Sequence, residues 1–226
     1  METKQGIKKV FDQILEWKKL PSYQAERRMD IFFGIYLEKI LKAKGFFDKG
    51  EQLVIIPEFP QKAWNKETGK ETDDNRSVKI DYLVASNEKM YAVELKTDTK
   101  SVNVDQINYY ERFLNKVWPE HKELVKTLFE ASNEKDKYSK LQSLINPIQY
   151  GDEKQPTGVI YIGPNGIGEK LTERLNKLKE SNSITDSVKS KFKVIEFKDI
   201  CTMNVGDDEL FNLFVETLGK WNEPCK

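Results

Sequence analysis

The sequence predicts an α/β fold in which a mixed central β-sheet is flanked by helices. Short runs of β-branched and aromatic residues alternate along the chain with longer segments whose apolar residues recur at helical spacing. Two runs in the middle of the chain are joined by a tight turn, whereas the later runs are separated by helical segments. A tight turn gives antiparallel neighbours and a helical crossover gives parallel ones, so the sheet should contain both.

The length and composition indicate one globular domain. The chain has 226 residues, of which 38% are hydrophobic and 33% are charged. We expect a single domain over 1–226, with an N-terminal helical segment over about 1–20 and a helical insertion over about 119–150. The 37 basic and 37 acidic residues give a formal net charge of +0. A protein that follows a phosphate backbone usually has a basic surplus, so a DNA-binding groove here would require local clustering of charge.

Cysteine and histidine are too scarce for several kinds of site. Cys201 and Cys225 form no CxxC pattern, and His121 is the single histidine, which nearly excludes a zinc site of the Cys/His type. His121 stands in a charged helical stretch and is expected on the surface. The cysteine usage suits a reducing cytoplasm, and the sequence contains neither a signal peptide nor an apolar run of membrane-spanning length. We therefore expect a cytoplasmic protein that does not contact a membrane.

Two amphipathic helices are predicted before the first strand. The first covers about 6–19, and the second covers about 22–44 and ends at a glycine. The strand that follows, Gln52 to Phe59, carries an acid, Glu58, between two prolines. Residues 61–77 are highly charged and show no periodicity, which predicts a solvated loop or an extended hairpin.

A β-hairpin is predicted at the centre of the chain. Two runs of β-forming residues, 78–84 and 90–95, flank a turn at 86–89. The first run contains Asp81, and a lone solvated acid is out of place inside an apolar strand. An amphipathic helix over about 103–118 follows the hairpin.

The second strand of this hairpin ends in a Glu-Leu-Lys sequence. Glu94 and Lys96 point to one face because side chains alternate along a strand, and a tight hairpin brings Asp81 close to Glu94. Two adjacent carboxylates repel each other unless one holds a proton or a cation lies between them. Mg²⁺ (or Mn²⁺) binds carboxylate, water and phosphate oxygens, and a nearby lysine can orient the attacking water. The set indicates metal-assisted phosphodiester hydrolysis, and the plain alternative is a surface hairpin with an ordinary Glu–Lys pair.

The helix after the hairpin contributes two polar residues. Gln106 and Tyr110 are four residues apart, so they share one side of the helix and can reach the end of the hairpin. Together with Asp81 and Glu94-Leu95-Lys96, this Q-x-x-x-Y spacing resembles the PD-(D/E)xK nuclease superfamily and its RecB-like and lambda-exonuclease branch. The resemblance covers roughly 26–113 and the later strands, but the proline that precedes the family's aspartate is absent.

The resemblance implies a restriction-endonuclease-like core and a divalent-metal-dependent DNA nuclease. It implies that Asp81 and Glu94 bind Mg²⁺ (or Mn²⁺) with help from the carbonyl of Leu95, and that Lys96 assists the attacking water. The glutamine and tyrosine of the helix would position the strand or the lysine. DNA is the implied partner, and a homodimer or a partner protein stays open. The alternative is a non-catalytic nucleic-acid-binding or protein-interaction module that retains the nuclease fold.

In this superfamily an acid on the helix before the first strand often completes the metal environment. The candidates on the second predicted helix are Glu26, Asp30 and Glu38. Glu26 falls within the apolar arc and near the level where the first strand ends, which favours it, although an acid in a first helical turn also complements the helix dipole. Glu58 is a further candidate for the outer acidic shell. Which of Glu26, Glu38 and Glu58 completes the site stays open.

The remaining elements continue the alternation of helices and strands. They are predicted as helices over about 119–131 and 136–145, a strand over 155–162, a glycine-rich turn and helix over 163–180, a strand over 192–197 and a helix over 208–221. The glycine-rich turn invites a phosphate-loop interpretation, but the Gly-Lys-Ser/Thr of that motif is missing. A plain strand-to-helix turn is therefore expected.

Overall fold

A five-stranded mixed sheet forms the centre of the fold, as the sequence predicts. The computed structural model describes residues 2–21, 23–65, 70–71, 77–203 and 206–222, with the backbone alone for 2–4, 64–65 and 70–71. The strands are, in chain order, β1 (Val54–Lys62), β2 (Trp64–Asn65), β3 (Lys70–Glu71), β4 (Ser77–Ala85), β5 (Met90–Leu95), β6 (Gly158–Gly163) and β7 (Phe192–Glu196). The main sheet has the order β1-β4-β5-β6-β7, and β2 pairs with β3 separately.

Helices cover both faces of this sheet. They are α1 (Glu2–Trp17), α2 (Ala25–Ala43), α3 (Val104–Asn115), α4 (Trp118–Ala131), α5 (Lys135–Ile145), α6 (Ile167–Glu180), α7 (Asp186–Ser190), α8 (Phe197–Cys201) and α9 (Glu209–Gly219). The predicted helices are confirmed with shifts of a few residues at their ends, whereas α7 and α8 were not predicted. None of the helices in the described part of the chain combines the length and apolar character that a membrane crossing needs.

The connections of the sheet decide which strand ends lie together. β1, β4 and β5 pair in antiparallel fashion, and β5, β6 and β7 pair in parallel. As a result β1, β5, β6 and β7 all end, and β4 begins, at the same end of the sheet. We call this the Glu94 end.

The two faces of the sheet have separate hydrophobic cores because side chains alternate along the strands. One face packs against α3 to α7, with Phe113 and Tyr161 at its centre. The other packs against α1, α2, α8 and α9 and contains Val93 and Leu95. The prediction that side chains alternate between the two faces along β5 is therefore confirmed for Val93 and Leu95, which lie on the same face.

Local signals explain how the elements begin and end. The Ser86 amide donates to the carbonyl of Lys89 (2.8 Å), and the Ser86 hydroxyl accepts from the amide of Lys89 (3.1 Å), which closes the predicted turn between β4 and β5. Gly45 has φ +76° after α2, and the amide of Phe46 donates back to the carbonyl of Leu41 (3.0 Å). Glycine reaches this left-handed conformation without strain, so it ends the helix where the sequence predicts.

Two expectations change in the structure. His121 is not on the surface but 0% exposed, between the rings of Phe113 and Trp118 on the buried stripe of α4. Burial lowers the pKa of its imidazole to about 4. The segment 61–77 was predicted as a solvated loop or an extended hairpin. In the structure β1 continues to Lys62 and the antiparallel β2–β3 pair follows, which fits the extended hairpin. Residues 66–69 and 72–76 lie outside the described residues.

Candidate active site

The β4–β5 hairpin places Asp81 beside Glu94. The last registered pair of these strands is Tyr82 with Val93, so the next residues, Asp81 and Glu94, follow opposite each other at the Glu94 end. The backbone N–H of Leu95 donates to Oδ2 of Asp81 (2.7 Å). This hydrogen bond ties the Asp81 carboxylate to the end of β5.

Glu94 is held by three side chains although it is only 1% exposed. Its Oε1 forms an ion pair with Nζ of Lys96 and accepts a hydrogen bond from Nε2 of Gln106. Its Oε2 accepts from the hydroxyl of Tyr110. The structure therefore brings the two polar residues of α3 onto the acid that the sequence singled out, and it fixes the orientation of that acid.

Asp81 carries an electrostatic conflict. Burial and then the nearby charge of Glu94 raise the pKa of its carboxyl to about 8, with a smaller contribution from Glu26. The hydrogen bond from the Leu95 amide and the charge of Lys96 act in the opposite direction but do not cancel this effect. Without a cation, Asp81 is therefore mostly protonated at neutral pH.

Glu26 and Lys96 complete a group of four ionisable residues. Glu26 lies in the first turn of α2; burial raises the pKa of its carboxyl, the charge of Lys96 opposes this, and Glu94 adds to it. For Lys96 burial acts to lower the pKa, but the charges of Glu94, Glu26 and Asp81 outweigh it and the pKa is raised. Lys96 thus keeps its proton at neutral pH. We call Glu26, Asp81, Glu94 and Lys96 the buried cluster.

The other candidate acids make their contacts elsewhere. Glu38 is exposed and pairs with Lys42 (2.7 Å). Glu58 falls between the registered pairs Pro57 with Tyr82 and Phe59 with Ile80 of β1 and β4, at the level of Asp81, but its backbone is left-handed (φ +53°) and its side chain is 60% exposed. Its carboxylate pairs with Lys79 (2.5 Å). Of the three acids that the sequence left open, Glu26 is the one placed beside Lys96 and Glu94: burial raises the pKa of its carboxyl, and the charges of these two residues act on it to a smaller extent.

Tyr161 is a residue of this site that the sequence did not reveal. It is the registered partner of Glu94 across the parallel β5–β6 pair, and its ring centre lies 5.9 Å from that of Tyr110. It is 0% exposed, and its hydroxyl has no hydrogen-bond partner among the described residues. Burial and the charges of Glu94 and Asp81 raise its pKa well above the usual value. Its one signal in the sequence was a polar group within an apolar run.

The donor atoms of the cluster fit a hard divalent cation. In the described ranges, no three Asp, Glu, His or Cys side chains converge to hold an ion alone. Mg²⁺ often takes only one or two carboxylates and fills its other positions with water and substrate phosphate. Asp81 and Glu94 are two carboxylates of that kind, and a bound cation would offset the effects of burial and of Glu94 that raise the pKa of Asp81. The role of the Leu95 carbonyl as a ligand stays a prediction.

Comparison of the chain with protein-family models gave no match, and comparisons with curated proteins and with solved structures gave none either. The resemblance to the PD-(D/E)xK superfamily therefore rests on the residues and their arrangement.

Proposed function

We propose that this protein is a divalent-metal-dependent nuclease that hydrolyses phosphodiester bonds of DNA, and that its α/β sheet is a restriction-endonuclease-like core. The observation that supports this most is the pair of carboxylates, Asp81 and Glu94, beside the buried lysine Lys96 at one end of the sheet. Buried like charges destabilise a fold, and strongly perturbed ionisable groups of this kind are concentrated at functional sites.

Each residue of the cluster has a distinct part in the proposed reaction. Asp81 and Glu94, with the carbonyl of Leu95, would hold Mg²⁺ or Mn²⁺, which when bound polarises the phosphate and makes water more acidic. The raised pKa of Lys96 keeps it as an ammonium ion. In the proposed reaction it would orient the attacking water and stabilise negative charge on the phosphate.

Gln106 and Tyr110 act on the reaction through Glu94. Their hydrogen bonds fix both oxygens of that carboxylate, so they are positioning residues. Glu26 supports the charge of Lys96. Glu58 faces solvent with Lys79, and we do not include it among the residues that act on the substrate.

One observation favours the alternative of a nucleic-acid-binding module that does not cut. Both oxygens of Glu94 already accept hydrogen bonds, and one of them is also paired with Lys96. This arrangement satisfies Glu94 without a metal ion. A protein in which the ammonium group of Lys96 had permanently taken the place of the divalent metal ion would keep the fold and would not hydrolyse phosphodiester bonds.

A cleavage assay tests the proposal. Single- and double-stranded DNA, linear and circular, would be incubated with Mg²⁺ or Mn²⁺ and with the wild type, Lys96→Ala or Asp81→Asn, with RNA as a parallel substrate. We expect metal-dependent cleavage that falls by about a thousandfold in both variants, as the loss of roughly 4 kcal/mol of transition-state stabilisation predicts. Glu173→Gln is the control, because it neutralises a carboxylate on the surface of α6.

The circular substrates separate endonuclease from exonuclease action. Equal cleavage by the wild type and by Asp81→Asn would refute the assignment of the site. No cleavage under any condition, together with measurable binding of DNA, would favour the non-catalytic module.

A further inference from the structure

A basic and aromatic segment lies next to the buried cluster. Residues 17–28, WKKLPSYQAERR, contain four basic residues and one acid in a chain whose overall charge is +0. The segment connects the end of α1 to the first turn of α2, which carries Glu26. The local clustering of charge that a neutral nucleic-acid-binding protein requires is therefore found beside the proposed site.

A cavity of 430 Å³ opens between this segment and the ends of β5 and β6. Its lining includes Lys18, Lys19 and Tyr23 from the segment. It also includes Ala25, which precedes Glu26, and Thr97, which follows Lys96. Glu26 and Lys96 do not line the cavity themselves, but each is the sequence neighbour of a residue that does, so the cavity opens near the buried cluster.

The walls of the cavity combine cations with aromatic rings. Tyr23 is half-buried and packs edge-on against Trp17 (ring centres 6.0 Å apart), which is itself 46% exposed. Trp221 closes the cavity: its indole N–H donates to the carbonyl of Thr97 (2.9 Å), and Nζ of Lys18 donates to the carbonyl of Trp221 and lies 4.8 Å from its ring centre. Exposed aromatic rings beside lysines are the usual surface for unpaired bases and their phosphates.

Two acids moderate this positive surface without removing it. Lys19 pairs with Glu16 (3.0 Å), an exposed pair of the kind that water screens and that a phosphate can displace. Asp98 also lines the cavity, but its Oδ1 accepts from the amide of Lys100 (2.8 Å) and so begins the short 3₁₀ turn Thr99–Ser101.

From these features we propose that residues 17–28 bind a single strand of nucleic acid, with one nucleotide in the cavity, a base against Trp17 or Tyr23 and phosphate on Lys18 and Lys19. This inference rests on the proposed function, because it gives the path along which the strand reaches Lys96. A single strand is specified because a duplex keeps its bases stacked inside and offers no base face to these rings.

A binding measurement tests this without catalysis. Fluorescence anisotropy of a labelled oligothymidine of about 12 nucleotides would be recorded with the full chain in EDTA over a series of salt concentrations. We compare the wild type with the double variant Lys18→Gln/Lys19→Gln. The matched control is Lys8→Gln/Lys9→Gln, which removes the same number of charges from exposed positions in α1, the helix that precedes Lys18 and Lys19.

We expect the Lys18→Gln/Lys19→Gln variant to bind at least about tenfold more weakly. The slope of the logarithm of its binding constant against the logarithm of the salt concentration should fall in magnitude by about 1.4, because each lost phosphate contact lowers it by about 0.7. The control should bind within about twofold of the wild type. Trp17→Ala, which removes a ring with an exposed face, should weaken binding by roughly tenfold and leave the salt slope unchanged.

The outcomes separate this inference from the proposed function. If the wild type and its variants bind the strand as expected but the wild type does not cut DNA, the inference stands and the nuclease proposal fails. If DNA is cut and both Lys18→Gln/Lys19→Gln and Trp17→Ala bind like the wild type, the inference is wrong and the nuclease proposal stands. Circular dichroism and the melting temperature establish that each variant is folded, and oligouridine in the same assay shows whether RNA is bound as well as DNA.

Discussion

Two groups of carboxylates and lysines in this protein have opposite electrostatic outcomes. On the surface of α6, Glu173 lies between Lys170 (2.6 Å) and Lys177 (3.0 Å), and hydrogen bonds from these lysines lower the pKa of its carboxyl to about 2. In the buried cluster, Asp81 also has a lysine nearby, yet the pKa of its carboxyl rises to about 8. The residue types are alike, and burial together with neighbouring acids makes the difference.

Of these two groups, the buried cluster is the one that the fold maintains at an energetic cost. The α6 group is a solvated set of ion pairs, and such pairs contribute little to stability. The buried cluster brings three acids and one lysine into a place with little water, where the acids outnumber the lysine and Asp81 is mostly protonated at neutral pH. A protein tolerates that arrangement when another charged species, such as a metal ion or a phosphate, completes it.

The largest effect is expected from removing the lysine of the buried cluster. Lys96→Met should lower the free energy of unfolding by about 3 kcal/mol, because it leaves Glu94 buried without its cation. Urea unfolding at pH 7 without divalent metal measures this. Lys177→Met, which removes a lysine from the exposed group on α6, is the control and should leave the midpoint unchanged. Equal midpoints for the two variants would mean that the burial of Glu94 does not depend on Lys96.

An effect of opposite sign is expected from neutralising Asp81. Asp81→Asn keeps an oxygen that can accept from the Leu95 amide and removes the charge that burial and Glu94 disfavour. It should raise the free energy of unfolding at pH 7 by about 2 kcal/mol, and the melting temperature by about 4–8 °C. Differential scanning calorimetry without metal measures both, and a lower melting temperature would contradict the raised pKa.

The higher stability expected of Asp81→Asn should depend on pH in a defined direction. A carboxyl whose pKa is raised by folding contributes its stability fully below its unfolded pKa of roughly 3.9, and that contribution is lost as the pH rises through about 8. The melting temperature of Asp81→Asn should therefore match the wild type near pH 4 and exceed it progressively up to about pH 8. A gain that is constant over this range would indicate a packing effect instead.

A smaller effect is expected from the metal itself. If about 10 mM Mg²⁺ binds with a dissociation constant near 1 mM, it stabilises the folded wild type by about 1.4 kcal/mol. The resulting rise in melting temperature should be absent in Asp81→Asn and unchanged in Glu173→Gln. The same rise in all three proteins would show that Mg²⁺ acts through the general surface and not through the buried cluster.

The smallest effect is expected on α6. Glu173→Gln should leave the urea midpoint at pH 7 unchanged, because exposed ion pairs are screened by water and salt. Since the pKa of Glu173 is lowered, any contribution it makes is present above its unfolded pKa and disappears as the pH falls toward 2. A clear loss of stability at neutral pH would remove the contrast between the two groups.

Much of the fold could be predicted because local periodicity determines it. β5 has the predicted bounds, since its alternation and its turn are both local features. By contrast α7 and α8 have five residues each, which is too short for helical periodicity to appear. His121 was predicted on the surface because its neighbours in the sequence are charged, whereas the structure places it on the inner side of α4. With Trp118 in α4, positions 118, 121, 125 and 128 form one buried stripe.

The site was predictable where its residues are close together in the sequence. Asp81 and Glu94 come together through a short hairpin whose register follows from its turn. Tyr161 reaches Glu94 through a parallel pairing that spans several intervening helices, and the sequence contains no sign of that register. The choice among Glu26, Glu38 and Glu58 depended on the position of α2 and on an unusual backbone angle at Glu58, and neither follows from local pattern.

The hydrogen bond from the Leu95 amide to Asp81 has a practical consequence for spectroscopy. The amide donates to a side chain whose charge state changes with pH and would change with the proposed cation, so its proton and nitrogen resonances would report both. A nitrogen-15 correlation spectrum of the uniformly labelled chain would thus follow the ionisation of Asp81 at one assigned cross-peak. That single resonance can report occupancy of the site before any substrate has been identified.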